Sequence, residues 1–116
     1  MKRDPQDVRN DTLASGVIDL LVLRVVADGE SYGYAIAQTL EVHGLNNVSE
    51  ATVYTSVKRM EKQNLLTSHR AIAENGRARR YYAITELGRD EIRTRLATWD
   101  ALAKVVTSVF ADGDGT

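Results

Sequence analysis

The stretch SEATVYTSVKRMEKQNLLTSHRAIAENGRARRYYAITELG, residues 49–88, changes its apolar period near the middle. In its first part, Val53, Val57 and Met60 recur at spacings of four and three residues. On a helix, this spacing places the three side chains within about 60° of one another, so they form one buried stripe. The first part of the stretch therefore predicts a helix over about 50–63.

The second part of the stretch predicts a β-hairpin. Two segments, 65–72 and 78–84, flank the turn sequence AENG and are bounded by residues typical of turns. The second segment alternates, so that Tyr82 and Ile84 share one face of the predicted strand. We expect this face to pack against the core.

Two further helices are predicted before this stretch. Apolar residues at spacings of three and four indicate a first helix that begins at about residue 13, and a second helix spans about 33–43. Ser31 and Ser49 are suited to cap the second and third helices. Three helices with a short turn between the last two, followed by a hairpin, form the winged helix-turn-helix plan.

A long last helix is predicted after the hairpin, with Thr85 as its N-cap. At 1.5 Å per residue it would be roughly 38 Å long, which is more than so small a domain needs for its own core. We therefore expect an α+β, mostly helical protein in four parts. These parts are an N-terminal tail (1–12), a winged-helix DNA-binding domain (13–85), a C-terminal dimerisation helix (86–110) and a disordered tail (111–116).

The charge of the chain is unevenly distributed along an otherwise ordinary globular composition. The 116 residues are 43% hydrophobic and 27% charged, with a net charge of −1. Residues 55–80 carry seven basic and two acidic side chains, whereas the rest of the chain has a net charge of −6. A basic region inside an acidic chain indicates a localised surface for a polyanion.

The outer face of the predicted third helix is suited to a DNA groove. It lies opposite the buried stripe, where Thr55 can touch a thymine methyl group and Arg59 can pair with guanine or phosphate. Three arginines follow the hairpin turn and give the neighbouring element the same sign of charge. The residues that we predict to contact double-stranded DNA are Ser49, Ala51, Thr52, Tyr54, Thr55, Lys58, Arg59, Lys62, Arg77, Arg79 and Arg80.

Three ordered motifs, YGYAI (32–36), EATVY (50–54) and RRYYAITELG (79–88), resemble the PadR family of bacterial transcriptional regulators. The resemblance extends over about 13–110. It implies a winged-helix domain, a homodimer formed through the C-terminal helix, and repression of genes for detoxification, efflux or phenolic-acid breakdown. Two features depart from the family pattern: Thr55 stands where many members have proline, and the hairpin turn has one glycine rather than two.

The last helix also argues for a partner, because its apolar residues follow a heptad pattern. This predicted dimer interface consists of Ile92, Leu96, Trp99, Ala103, Val106 and Phe110. Helix 1 can cover part of the stripe and a symmetry mate the rest, and burial within one chain is the alternative. A two-fold symmetric dimer predicts a palindromic operator.

Trp99 is the only tryptophan of the chain and lies on this stripe. A tryptophan is suited to anchor a dimer interface. The resemblance implies a second role, because small drug-sensing members of the family stack planar aromatic compounds on a tryptophan at the matching place. Such an effector site would be lined by Leu13, Gly16, Val17, Leu96, Trp99, Leu102 and Ala103.

Several other classes of function lack support in the sequence. The chain has no cysteine, two histidines, no nucleophile paired with a base and no glycine-rich phosphate loop, so we expect neither an enzyme nor a metal or cofactor site. The longest apolar stretch, 17–27, is interrupted by Asp19 and Arg24 and is too short to span a bilayer. We therefore expect a cytoplasmic protein with no membrane partner. In this first helix Asp19 and Arg24 are compatible with either an interface or solvent.

One alternative function remains open at this point. A winged helix can serve as a protein-interaction module without sequence-specific DNA binding, and its basic face would then meet an acidic partner. Salt-dependent binding to duplex DNA, and competition between specific and scrambled duplexes, would distinguish the two functions.

Overall fold

The computed structural model describes residues 15–46 and 48–112. Its elements, in chain order, are α1 (Ser15–Ala27), α2 (Gly33–Val42), α3 (Glu50–Lys62), β1 (Leu66–Ile72), β2 (Ala78–Ile84) and α4 (Glu86–Asp112). The two strands form an antiparallel hairpin, with Leu66 opposite Ile84 and Ile72 opposite Ala78. This arrangement confirms the predicted α+β, mostly helical winged helix-turn-helix fold.

The core lies where α1, α2, α3 and the root of the hairpin meet. Val53, Val57 and Met60 of α3 are fully buried, which confirms the predicted stripe. Tyr82 is buried and Ile84 packs at the edge of the core, as the alternation along β2 predicted. The other buried apolar residues of this core are Ile18, Val22, Leu23, Val26, Ile36, Leu40, Leu45, Val48, Leu65 and Leu66.

Two of the three predicted helix caps are present. The Ser49 hydroxyl accepts a hydrogen bond from the Thr52 amide at 3.1 Å, and the Thr85 hydroxyl accepts one from the Gly88 amide at 3.0 Å. Each bond satisfies an amide that has no partner inside its own helix.

The predicted Ser31 cap of α2 is wrong. The N-cap position belongs to Tyr32, whose side chain makes no capping hydrogen bond. Ser31 instead pairs with Tyr82 as an extra bridge beside the hairpin, through two backbone hydrogen bonds of 3.1 and 2.8 Å. This pairing ties the start of α2 to the hairpin and fixes the distance between them.

The hairpin turn closes with its single glycine. Gly76 adopts φ +84°, a region that a residue without Cβ enters at no steric cost, and its amide donates to the Ala73 carbonyl at 2.9 Å. The Ala73 amide donates to the Arg77 carbonyl, and the Asn75 side chain accepts from the Arg77 amide. The missing second glycine of the family pattern therefore leaves a closed turn.

The last helix is longer than predicted. It continues through Ala111 to Asp112, two residues beyond the approximate end predicted at Phe110. Residues 113–116, the predicted N-terminal tail 1–12 and Leu13 lie outside the described residues.

Candidate nucleic-acid interface

The exposed face of α3 presents the small and basic residues expected of a recognition helix. Tyr54, Thr55, Lys58 and Lys62 are exposed, and they are joined at the start of the helix by Ala51. The Lys58 ammonium lies 5.9 Å from the centre of the Tyr54 ring and 3.9 Å from a carboxylate oxygen of Glu61. At these distances in water, both interactions are weak, so the ammonium is available to a stronger anion.

Arg79 of β2 is held in place by an aromatic ring. Its guanidinium lies 4.3 Å from the centre of the Tyr32 ring, and Tyr32 packs edge-on against Tyr81 with ring centres 5.4 Å apart. Tyr81 in turn stacks on His69, which lies 3.6 Å from Glu30. This row of rings holds the Arg79 guanidinium in place without using its N–H groups as hydrogen-bond donors.

Arg80 connects the hairpin to α3 through a chain of hydrogen bonds. It donates to the Ser68 hydroxyl at 3.0 Å, and Ser68 donates to Glu61 of α3 at 2.6 Å. Burial raises the pKa of the neighbouring Tyr82 hydroxyl, the charge of Glu61 raises it further, and the charge of Arg80 opposes this effect. The hydrogen-bonded chain holds the hairpin at a set position relative to the exposed face of α3.

The basic residues of α3 and of the hairpin border one continuous surface, which we call the basic groove. An open groove of about 780 Å³ runs between the start of α2, the start of α3 and the hairpin, and a shallower depression follows the exposed face of α3. Tyr54 lines both depressions, so they adjoin. Of the charged residues that line them, six are basic and one is acidic: Lys58, Arg59, Lys62, Arg77, Arg79 and Arg80, with Glu50.

Arg59 has a partner that the sequence did not reveal. Its guanidinium donates to both carboxylate oxygens of Asp19 in α1, with Nε–Oδ2 at 2.9 Å and Nη2–Oδ1 at 2.7 Å. Ser56 donates to the same carboxylate at 2.6 Å. Asp19 is only 4% exposed, whereas the Arg59 side chain is 37% exposed. Arg59 therefore lines the basic groove while a buried carboxylate holds its guanidinium, and its contact with DNA stays a prediction.

The two charges of α1 that the sequence left undecided have different environments. Asp19 is buried under α3, whereas Arg24 is exposed and pairs with Asp28 at 2.6 Å. The sequence signal for Asp19 is a lone carboxylate inside an apolar helical run, because a buried charge needs a partner. Tyr32, immediately before α2, and Tyr34, within α2, also line the basic groove and were not predicted from the sequence.

The predicted interface stripe of α4 divides into two parts. Ile92 packs against the edge of the core, so it is partly buried within its own chain. Large apolar residues farther along are 44–70% exposed: Leu96, Trp99, Leu102, Val105, Val106, Val109 and Phe110. Of the other predicted effector-site residues, Gly16 is exposed, and Val17 and Ala103 are half-buried.

Two further observations concern sites of other kinds. Among residues 15–46 and 48–112, no three histidine, aspartate or glutamate side chains are grouped so that they could hold a metal ion. Within the same part of the chain, the structure contains no helix both long enough and apolar enough to cross a membrane.

Solved structures of similar fold come from several bacteria. A PadR-like transcriptional regulator from Bacillus cereus has a TM-score of 0.72 and 28% identity, covering 82% of this chain and 92% of that one. A PadR family transcriptional regulator from Eggerthella lenta has a TM-score of 0.74 and 30% identity, covering 82% of each chain.

Sequence comparison agrees with the structural comparison. Transcriptional regulator Rv3488 of Mycobacterium tuberculosis is 35% identical over 89 residues, which cover 77% of this chain and 81% of that protein. A family model described as the transcriptional regulator PadR-like family matches residues 22–94, more than half of the chain. With this match and the winged-helix geometry, the chain belongs to the PadR-like family of transcriptional regulators.

Proposed function

We propose that this regulator is a homodimeric repressor that binds a palindromic duplex operator through the basic groove. In this proposal α3 enters the major groove of each half-site, and the hairpin lies against the neighbouring phosphates. The observation that carries the proposal is the continuity of the basic groove from α3 to the hairpin.

The chemistry of the basic groove supports a division of labour between its two elements. Thr55 and the N-terminal part of α3 expose small side chains that let the helix approach base edges closely. Arg77 and Arg79 extend the positive charge onto the hairpin, where they match a phosphate backbone. Phosphate contacts of this kind provide affinity and register but no sequence information.

The exposed apolar part of α4 supports homodimerisation. Monomeric soluble proteins rarely expose contiguous apolar patches of large area, and seven large apolar side chains of α4 are exposed beyond residue 95. Four of the seven, Leu96, Trp99, Val106 and Phe110, follow the heptad spacing, which suits helix–helix packing about a two-fold axis. We propose that residues 13–85 form the DNA-binding unit and that 86–110 joins two protomers.

Effector release is the part of the proposal that rests on Trp99. This residue is 44% exposed and stands between Leu96 and Leu102, so it offers a flat aromatic face to a planar ligand enclosed by two protomers. Such a ligand would relieve repression only if it bound more tightly to a dimer whose two α3 helices no longer match the operator spacing.

Binding of labelled duplex DNA, measured by fluorescence anisotropy, tests the central claim. We expect the protein to prefer the duplex from its own upstream region over a scrambled duplex at about 150 mM salt, with two protomers bound per site. Replacing the exposed Arg77 with alanine should weaken binding to all sequences and lower the salt slope by about one.

Arg93→Ala is the matched control, because Arg93 is an exposed arginine of α4 that lies outside the basic groove. This variant removes the same charge and should leave the salt slope unchanged. Equal loss of affinity in both variants would contradict the placement of DNA on the basic groove. Absence of binding to any duplex at low salt would favour the protein-interaction alternative.

A further inference from the structure

The buried carboxylate of Asp19 stands behind the exposed face of α3. It belongs to α1, yet among the described residues its three hydrogen-bond donors lie in α3, two from Arg59 and one from Ser56. Ser56 is 1% exposed, so the contact is closed to solvent on that side. Because Asp19 is buried and both of its carboxylate oxygens are hydrogen-bonded, moving the Arg59 guanidinium away would leave a buried charge unpaired.

The contact consumes only part of the Arg59 guanidinium. Nε and one N–H of Nη2 point to Asp19, and a guanidinium carries five N–H groups in a fixed plane. Three N–H groups remain, and in the described part of the chain they donate to no other residue. The Arg59 side chain is 37% exposed and lines the depression along α3 beside Thr55 and Lys62, on the surface where DNA would lie.

The charge of the pair determines what those donors can contribute. The hydrogen bond to Asp19 raises the pKa of Arg59, so the guanidinium stays protonated, but the adjacent carboxylate cancels its net charge. A neutral pair attracts the phosphate backbone weakly and releases few counterions. What remains is the direction of the donors, which suits a fixed acceptor such as a guanine edge.

We infer that Asp19 is a positioning residue for sequence recognition: it fixes the Arg59 guanidinium so that the remaining donors meet one defined acceptor of the operator, and it suppresses the attraction of this arginine to phosphates in general. The inference rests on the proposed DNA-binding function, since it requires α3 to face a duplex.

The test measures the affinity of the whole chain for two DNA duplexes under the same conditions. One duplex is the sequence preferred by the wild type in a selection from random-sequence DNA, and the other is its scrambled form. Asp19→Asn keeps the size of the side chain and removes the charge. We expect the preference for the selected duplex to fall about tenfold, while binding to the scrambled duplex strengthens and its salt slope steepens by about one.

A purely structural role predicts a different result. If Asp19 only stabilises the fold, loss of folded protein lowers both affinities equally and leaves their ratio unchanged. Asp28→Asn is the matched control, because this exposed carboxylate follows the same helix and pairs with Arg24. It removes one negative charge and should leave the preference unchanged.

Arg59→Lys provides a second variant should Asp19→Asn fold poorly. Lysine keeps a cation opposite the buried carboxylate but cannot span both of its oxygens. We expect about tenfold loss of preference with an unchanged salt slope, since the net charge is the same.

The outcomes separate the two proposals. Retention of wild-type preference in Asp19→Asn or in Arg59→Lys would overturn the positioning role and leave the DNA-binding function intact. A wild-type protein that selects no duplex at all would overturn both.

Discussion

The heptad stripe of α4, which runs from Ile92 to Phe110, has different surroundings at the two ends of the helix. At the first end, Gly88 is buried and Ile92 packs against the core. At the other end, Val106 and Phe110 are 49% and 70% exposed. Twenty-seven residues correspond to about 40 Å of helix, so α4 extends past the elements that could cover it.

An apolar stripe on a helix can therefore be buried by its own chain or by another chain. A repeated spacing predicts which face of a helix is buried, but it does not predict which chain does the burying. The first turns of α4 are joined to their own chain by backbone contacts: the Thr85 amide donates to the Leu65 carbonyl at 3.1 Å, and the Thr85 hydroxyl donates to the Asn64 carbonyl at 2.8 Å. The distal turns have an apolar face that the single chain leaves exposed.

The largest effect on stability is expected from Gly88→Ala at the packed end. A Cβ at this position would lie 2.3 Å from the Leu65 carbonyl oxygen and 2.7 Å from Ile84. The backbone oxygen cannot move without disturbing the start of β1, so we expect the free energy of unfolding to fall by about 3 kcal/mol. The better helix propensity of alanine offsets only about 1 kcal/mol of the packing cost.

Chemical denaturation followed by circular dichroism measures this loss. Gly33→Ala is the control, because a Cβ there meets no atom within 4 Å. Its effect should stay within about 0.5 kcal/mol. Equal stability of the two variants would show that α4 does not depend on close packing at its first turn.

The next largest effect is expected at the exposed end of α4, where we expect a substitution to weaken the association of two protomers. Val106→Glu places a charge on the stripe that the proposed dimer buries, which costs several kcal/mol when no partner is present. We expect the dissociation constant of the dimer to rise at least about 100-fold, equivalent to about 2.7 kcal/mol. Analytical ultracentrifugation measures it.

Ser108→Glu is the control for this variant, because Ser108 is exposed on the opposite side of α4. It should leave the association unchanged, and neither variant should alter the helical signal of the diluted protein. A Val106→Glu protein that associates like the wild type would place the dimer contact elsewhere.

The smallest effects are expected from truncating one apolar side chain at each end of α4. Ile92→Ala removes a side chain that is partly packed on the core, so we expect a loss of about 1–2 kcal/mol. Phe110→Ala, measured at a dilution where the protomers are separate, should change the free energy of unfolding by less than about 0.5 kcal/mol. Denaturant titrations of both variants measure these losses. A larger loss for Phe110→Ala than for Ile92→Ala would contradict the difference between the two ends of α4.

Much of the fold could be predicted because it depends on near neighbours in the chain. The spacing of Val53, Val57 and Met60 places them on one face of α3 irrespective of the rest of the protein. The Ser49 cap is equally local, since its partner is the Thr52 amide three residues away. Ser31 was wrongly assigned as a cap because its backbone pairs instead with Tyr82, 51 positions later in the chain.

The candidate site was predictable in its composition but not in its internal contacts. The basic residues of α3 and the hairpin were identified from charge and helical phase, and they border one groove. Tyr32 was missed, although it orients Arg79, because nothing in a linear pattern brings the start of α2 against β2.

Local periodicity and the three motifs were thus sufficient to establish the order of helices, the hairpin and the family. The partner of Arg59 was not available in this way, because Asp19 lies 40 positions earlier and meets it through the packing of α1 on α3. Periodicity depends on bond geometry within one element, whereas a contact between elements depends on their relative rotation and distance. The packing of α1 on α3 therefore decided that Arg59, which lines the groove, is also held by a buried carboxylate.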